Sequence, residues 1–290
     1  MEQNMEFENG TILVDGFGLQ YDSLGSGKPL LLLAGGPGAS PEYLYPIIRD
    51  LSGSRKCYLI HQRGTGRSKS FSLSRRTINL QTFVDDVEAL RRRLDLEKVT
   101  ILGHSWGAML AMAYASQQPH RVESLVLICP GGMDGKSYGY ISDNILAYLD
   151  QEQRDSIDDW ERKYALGDVG ARYEHYNIVA PILVFDRSQT SVSAAILTSI
   201  NLTVESLIMQ SIREDGYDVG AAMTHFERPV ALICARQDYL GEGIAMRAHA
   251  VFPNSILIWI ERSGHFPWLD NPKSFFDGLR AAFASSNSDK

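Results

Sequence analysis

The sequence predicts an α/β fold, with a mostly parallel central sheet flanked by helices and interrupted by one helical insertion. Three observations predict it. Short apolar runs alternate with helical patterns along most of the 290 residues, which is the rhythm of βαβ units. The alternation stops near Gly131 and resumes after Phe226. Chemically suggestive residues fall on breaker-rich loops just past apolar runs, where parallel sheets build their sites.

The elements follow in order. "TILVDGFGLQYDSLGSGKP" reads as two short strands joined by a turn. Four leucines at 30–33 stop on Gly35-Gly36-Pro37-Gly38, a buried strand closed by breakers. A helix is expected near 42–51, then the strand "CYLIHQRG", ending on Gly64. Leu80, Phe83, Val84, Val87, Leu90 and Leu94 share one face of a helix over 80–94. The strand "VTILGHS", the helix "GAMLAMAYASQQ" and the strand "SLVLICP" come next. Residues 131–226 carry several helix-like patterns, such as "DNILAYLDQEQRDSIDDWERKYAL", and no strand–helix alternation. The strands "RPVALICARQD" and "SILIWIERSGH" and a last helix near 274–283 complete the chain. The expected domains are a core of residues 1–130 and 227–290 and a helical cap of residues 131–226.

With 44% hydrophobic and 22% charged residues the composition is that of a soluble globular protein. A net charge of −7 argues against a nucleic-acid partner. No apolar run reaches membrane-spanning length, and "MEQNMEFENG" has neither a basic n-region nor an apolar h-region. Cys57, Cys129 and Cys234 lie in or beside strand-like runs, without metal-ligand spacing. They read as reduced core thiols, and a cytoplasmic protein without a membrane partner is the expectation. The acidity is localised: residues 131–226 hold 15 acids and 7 bases, and the remainder 20 and 21.

Gly103-His104-Ser105-Trp106-Gly107 stands between an apolar strand and an Ala-rich helical pattern. A nucleophile elbow needs this context, a sharp turn with small neighbours that presents the serine. Its hydroxyl needs a base. Of seven histidines, His265 alone follows the final strand-like run on a loop of breakers. Asp238, four residues past the strand at 230–234, is placed to orient it. Ser105, Asp238, His265 is the chain order of α/β-hydrolase triads. In that arrangement the oxyanion donors are the N–H after the nucleophile, here Trp106, and one from the loop after the third strand, here Gly36. Gly35 and Pro37 flank Gly36 and are placed with it on the substrate side. The chemistry requires no metal and no organic cofactor.

"LLLLAGGPG", "HQRGTGRS", "GHSWGAMLAMAYASQQPHRV" and "SGHFPWLDNP" together resemble the proline iminopeptidase family of α/β hydrolases. The resemblance implies the α/β-hydrolase fold with a helical cap and release of an N-terminal residue, usually proline. It also implies cap glutamates that hold the free α-amino group. "ARYEHYN" makes Glu174 the first candidate, Glu161 in "DDWE" the second, and Glu205 or Glu214 further partners. Two positions depart from the family pattern. Ala34 stands where the family commonly has His, and His61 where it commonly has Asp. One expectation is that His61 fills from the neighbouring strand the polar role that Ala34 cannot.

A serine hydrolase acting on a small peptide or small molecule is thus expected, with an aminopeptidase of proline iminopeptidase type as its sharper form. The same machinery serves an esterase, a lactonase or a carbon–carbon bond hydrolase. From another class, a ligand-binding receptor that retains the fold with little turnover stays open.

Overall fold

The computed structural model describes residues 6–69 and 72–285. Eight strands form one sheet: β1 (Glu8–Val14), β2 (Phe17–Leu24), β3 (Lys28–Leu33), β4 (Arg55–Ile60), β5 (Val99–His104), β6 (Val122–Ile128), β7 (Val230–Ala235) and β8 (Ser255–Ile260). Their spatial order is β1-β2-β4-β3-β5-β6-β7-β8. The β1/β2 and β2/β4 pairs are antiparallel, and every other pair is parallel. Helices cover both faces of the parallel part, so β5 and β7 are buried at every position and their sequences are near-continuous apolar runs. One face packs Leu31, Leu33, Ile101, Leu125 and Leu232, and the other Leu30, Leu32, Leu59, Leu102 and Val126.

The helix Leu80–Arg93 shows the expected stripe, and Asn79 closes its start with a reciprocal capping box to Thr82. The helix Trp106–Gln117 is buried from Trp106 through Ala115. It is enclosed on every side, so apolar residues run all round it, large ones such as Trp106 and Tyr114 interleaved with alanines. One strand ends earlier than its sequence suggests. β4 stops at Ile60, four residues short of Gly64, because the chain turns through Gly64 and Gly66 with φ of 74° and 47°. The side chains of residues 61–63 then leave the sheet for other partners.

Between β6 and β7 the described residues form no sheet strand. They make the helices Ser137–Ala147, Gln151–Ala165, Val169–Val179, Thr190–Thr198 and Leu202–Glu214, with shorter turns between. This segment is fastened to the core at defined points. The Asn201 N–H donates to the Gly38 carbonyl at 2.9 Å, and its side-chain amide to the Gly64 carbonyl at 2.8 Å. Leu183 accepts a 2.7 Å hydrogen bond from the backbone N–H of His265. Among the described residues no single helix is long and apolar enough to cross a membrane.

Candidate active site

The site lies where β3, β5, β7 and β8 end. Ser105 follows β5 directly, with φ of 55° and ψ of −118°, a left-handed turn that a non-glycine residue adopts only when its surroundings force it. The surroundings do so by closeness. A Cβ on Gly103 would meet the Gly107 carbonyl oxygen at 2.3 Å, and one on Gly107 would meet the Leu33 carbonyl oxygen at 2.0 Å. Both motif glycines are therefore required by the approach of the helix to the strand ends. The Ser105 hydroxyl caps nothing, so it stays available at the positive end of the helix Trp106–Gln117.

His265 Nδ1 donates to Asp238, 2.9 Å from Oδ2 and 3.1 Å from Oδ1. That fixes the tautomer and leaves Nε2 as the basic nitrogen. Leu240 N–H holds Asp238 Oδ1 at 3.1 Å. Ser105 and His265 line one cavity of about 50 Å³, together with Gly36, Tyr43, Tyr239 and Phe266 from the core and Leu183, Ile196, Leu197 and Ile200 from the insertion. The expected serine, acid and base are thus brought together.

Two further polar chains brace the site, and sequence reasoning did not find them. Gly35 N–H donates to the Tyr43 hydroxyl at 2.5 Å, and that hydroxyl lies 2.9 Å from His104 Nδ1. His104 Nε2 lies 2.9 Å from the carbonyl of His265. An amide can only donate and a carbonyl can only accept, so the protons are assigned along the whole relay. Tyr43 donates to Nδ1 and His104 donates from Nε2. Neutral His104 suits this, and burial together with the nearby His265 pushes its pKa well below the ordinary 6.5. The relay ties the glycine loop, the elbow and the base-bearing loop into one unit. In the second chain, Trp106 Nε1 donates to Gln62 Oε1 at 3.1 Å, and Gln62 Nε2 to the Ala34 carbonyl at 2.8 Å.

That geometry corrects the expectation for His61. Gln62, its neighbour, is the residue that reaches the Ala34 position. His61 turns the other way, to Asp22 Oδ2 at 2.9 Å, and accepts the Arg67 backbone N–H at 3.0 Å. Of the glycine loop, Gly36 faces the cavity and Pro37 is buried. Gly35 uses its amide on Tyr43, and a Cβ there would press on Ser105 Cβ at 3.1 Å. Gly35 and Pro37 are thus parts of the loop's framework, while Gly36 is the member that lines the cavity.

Among the acids of the insertion, Glu174 on the helix Val169–Val179 is exposed and does not line the cavity. Helix phase explains this, since Tyr176 of the same turn is the residue that faces inward, 4% exposed. Glu161 is on the helix Gln151–Ala165, with its side chain outside the described residues. Glu214 accepts from Gln210 and lies 3.6 Å from Arg75 on the surface. Glu205 accepts the Tyr176 hydroxyl at 3.0 Å. Burial first, with the Glu205 charge as a further cause, raises the hydroxyl pKa values of Tyr138 and Tyr239. Tyr239 lines the cavity, and Glu205 does not.

One group of metal-ligating types exists among the described residues. Cys129, Asp238 and His265 offer atoms within 4.8 Å of one another. Burial and the neighbouring Asp238 charge raise the Cys129 pKa well above its usual 9.0. A metal ligand must be a thiolate, and Asp238 and His265 are already bonded to each other, so the trio suits hydrogen bonding better than metal binding.

Comparison with known proteins places the chain. Residues 28–272 match the family described as alpha/beta hydrolase fold. A proline iminopeptidase of Heyndrickxia coagulans is 36% identical over 111 residues, 38% of each protein. The chain therefore spans well under half the length of that relative. The AB hydrolase superfamily protein YclE of Bacillus subtilis is 25% identical over 275 residues, 92% of this chain and 95% of that one. Among solved structures VinJ superposes with a TM-score of 0.81 at 18% identity, over 96% of this chain and 98% of its own, a likeness of fold. The chain belongs to the alpha/beta hydrolase fold family.

Proposed function

We propose that this hydrolase is a serine aminopeptidase that releases a small N-terminal residue from short peptides. Ser105 Oγ attacks the scissile carbonyl while His265 Nε2 takes its proton, and Asp238 steadies the imidazolium. The N–H groups of Trp106 and Gly36 receive the oxyanion. His265 then protonates the leaving amine, and a water hydrolyses the acyl-enzyme by the reverse route.

The observation that carries the peptidase reading is Glu205, an acid of the insertion that accepts the hydroxyl of the inward-facing Tyr176. A peptide α-amino group, with a pKa of about 7.7–8.0, is largely protonated at neutral pH and is drawn to such an acid. The partial likeness to a proline iminopeptidase supports the same reading. A cavity of about 50 Å³ suits a small residue.

A panel of prolyl, alanyl and leucyl arylamides, an N-blocked prolyl arylamide and short acyl p-nitrophenyl esters tests it. Cleavage of free-amine substrates, lost on blocking and raised in KM by Glu205→Gln, is the expected result. Ester cleavage indifferent to an amine would instead favour an esterase or lactonase. One observation supports that second reading: Ala39, Leu183, Ile196, Leu197, Ile200 and Phe266 give the cavity an apolar lining.

A further inference from the structure

At the opposite edge of the sheet, where the strands begin, a second cavity of about 170 Å³ is lined by Lys28, Pro29, Arg55, Lys98, Thr100, Glu123 and Ser124. The sheet register builds it. Lys28 at the start of β3 pairs with Arg55 at the start of β4, Leu30 with Thr100, and Thr100 with Ser124. Side chains alternate with a period of two, so Lys28, Arg55, Thr100 and Ser124, with Lys98 two residues before Thr100, fall on the same face. Among the described residues three cations and one acid line it, in a protein whose net charge is −7.

Arg55 makes this more than a basic surface. It is 7% exposed, with its guanidinium carbon 4.3 Å from the centre of the Phe283 ring. Among the described residues it has no carboxylate partner and no hydrogen bond from its guanidinium. A guanidinium stays charged in proteins, and a buried charge without a counter-charge is costly. Beside it the hydroxyls of Thr100 and Ser124, 4% and 2% exposed, lie 3.1 Å apart. One bond between them leaves a hydroxyl proton or lone pairs for a third group. A fork of N–H donors, two flanking ammonium groups and a hydroxyl pair form a receptor for a tetrahedral oxyanion.

We propose that this cavity binds the phosphoryl group of a small soluble phosphate compound, at a site separate from Ser105. It has room for the phosphoryl group and a few further atoms. The bound anion supplies a counter-charge to Arg55, which has none among the described residues.

The test is titration of the purified protein with inorganic phosphate and with glycerol 3-phosphate at constant ionic strength, read by calorimetry and by thermal unfolding. Sodium chloride is the control, and phosphatidic-acid vesicles form a separate arm. Saturable binding is expected, raising Tm by about 5 °C at about 100-fold above Kd. Arg55→Gln is expected to abolish it and to unfold no earlier than wild type without phosphate. Lys98→Gln, at a partly exposed position, is expected to weaken binding about tenfold and serves on its own if Arg55→Gln does not fold. Hydrolysis by both variants should match wild type without phosphate. Equal titrations of wild type and Lys98→Gln, no saturable binding, or binding to the vesicles alone would each overturn the proposal.

Discussion

Two buried histidine–aspartate pairs stand past the carboxyl ends of strands in this protein, both closed at 2.9 Å. In the pair after β4, neither ring nitrogen is left over. His61 uses both ring nitrogens, one on Asp22 and one on the Arg67 amide, and Asp22 also takes the Tyr45 hydroxyl at 2.7 Å and the Arg67 guanidinium at 2.5 Å. In the pair after β8, His265 gives only Nδ1 to Asp238, and the cavity it lines also holds Ser105. Separation and burial do not distinguish a fastening from the proposed catalytic dyad. The unspoken-for nitrogen does, because only a free lone pair can accept a proton from a nucleophile.

The sharpest way to break this contrast is to exchange the consequences. Asp238→Asn should lower kcat by about 10⁴-fold with little change in Tm, since the amide still fills the space. Loss of folding with residual kcat near wild type would make this pair structural too. His61→Ala should do the reverse. It strands the buried Asp22 beside Arg67 and Tyr45, at a cost of about 3 kcal/mol in stability, while the folded fraction keeps its kcat. Denaturant midpoints and active-site-normalised rates separate the two.

Acid sharpens the account of the braces. His104 is held neutral in the fold, its pKa pushed well below 6.5 by burial first and by His265 second. The unfolded chain takes up a proton as pH falls through about 6.5, and the folded protein does not. The His104 contribution is therefore complete above that pH and is lost progressively below it. Burial moves Asp86 in the opposite sense, up to about 6 despite its Arg63 partner. The measurement is accordingly the difference in stability between wild type and His104→Gln at pH 7 and pH 5, which should shrink on acidification. The smallest effect is expected for Tyr43→Phe, which keeps the ring but frees Gly35 N–H and His104 Nδ1. A fall of about tenfold in kcat at unchanged KM would mark Tyr43 as a positioning residue, and a pure loss of stability would reduce it to packing.

The parts legible in the sequence are those whose signal is local. Ser105 sits within its own elbow, and Asp238 and His265 each follow a strand by a few residues, so their neighbourhood announces them. Tyr43 and Gln62 are different. Their partners lie 61 and 44 residues away in the chain, and nothing nearby distinguishes them from ordinary loop or helix residues. His61 drew attention as a departure from a family pattern, but that pattern says which strand end it occupies and not which way it turns. Asp22, which decides the direction, is 39 residues earlier. Glu174 failed on helix phase, which a motif likeness does not specify. Lys28, Arg55 and Lys98 each look like a charge ahead of an apolar run, and only the strand register places them in one cavity.

The most direct measurement is labelling with a fluorophosphonate, followed by mass spectrometry of the modified peptide. A free His265 Nε2 predicts one adduct per chain, on Ser105, formed at a rate that falls steeply in His265→Ala and stays near wild type in folded His61→Asn. An unlabelled Ser105 in the folded protein, or labelling as fast without His265 as with it, would contradict the account.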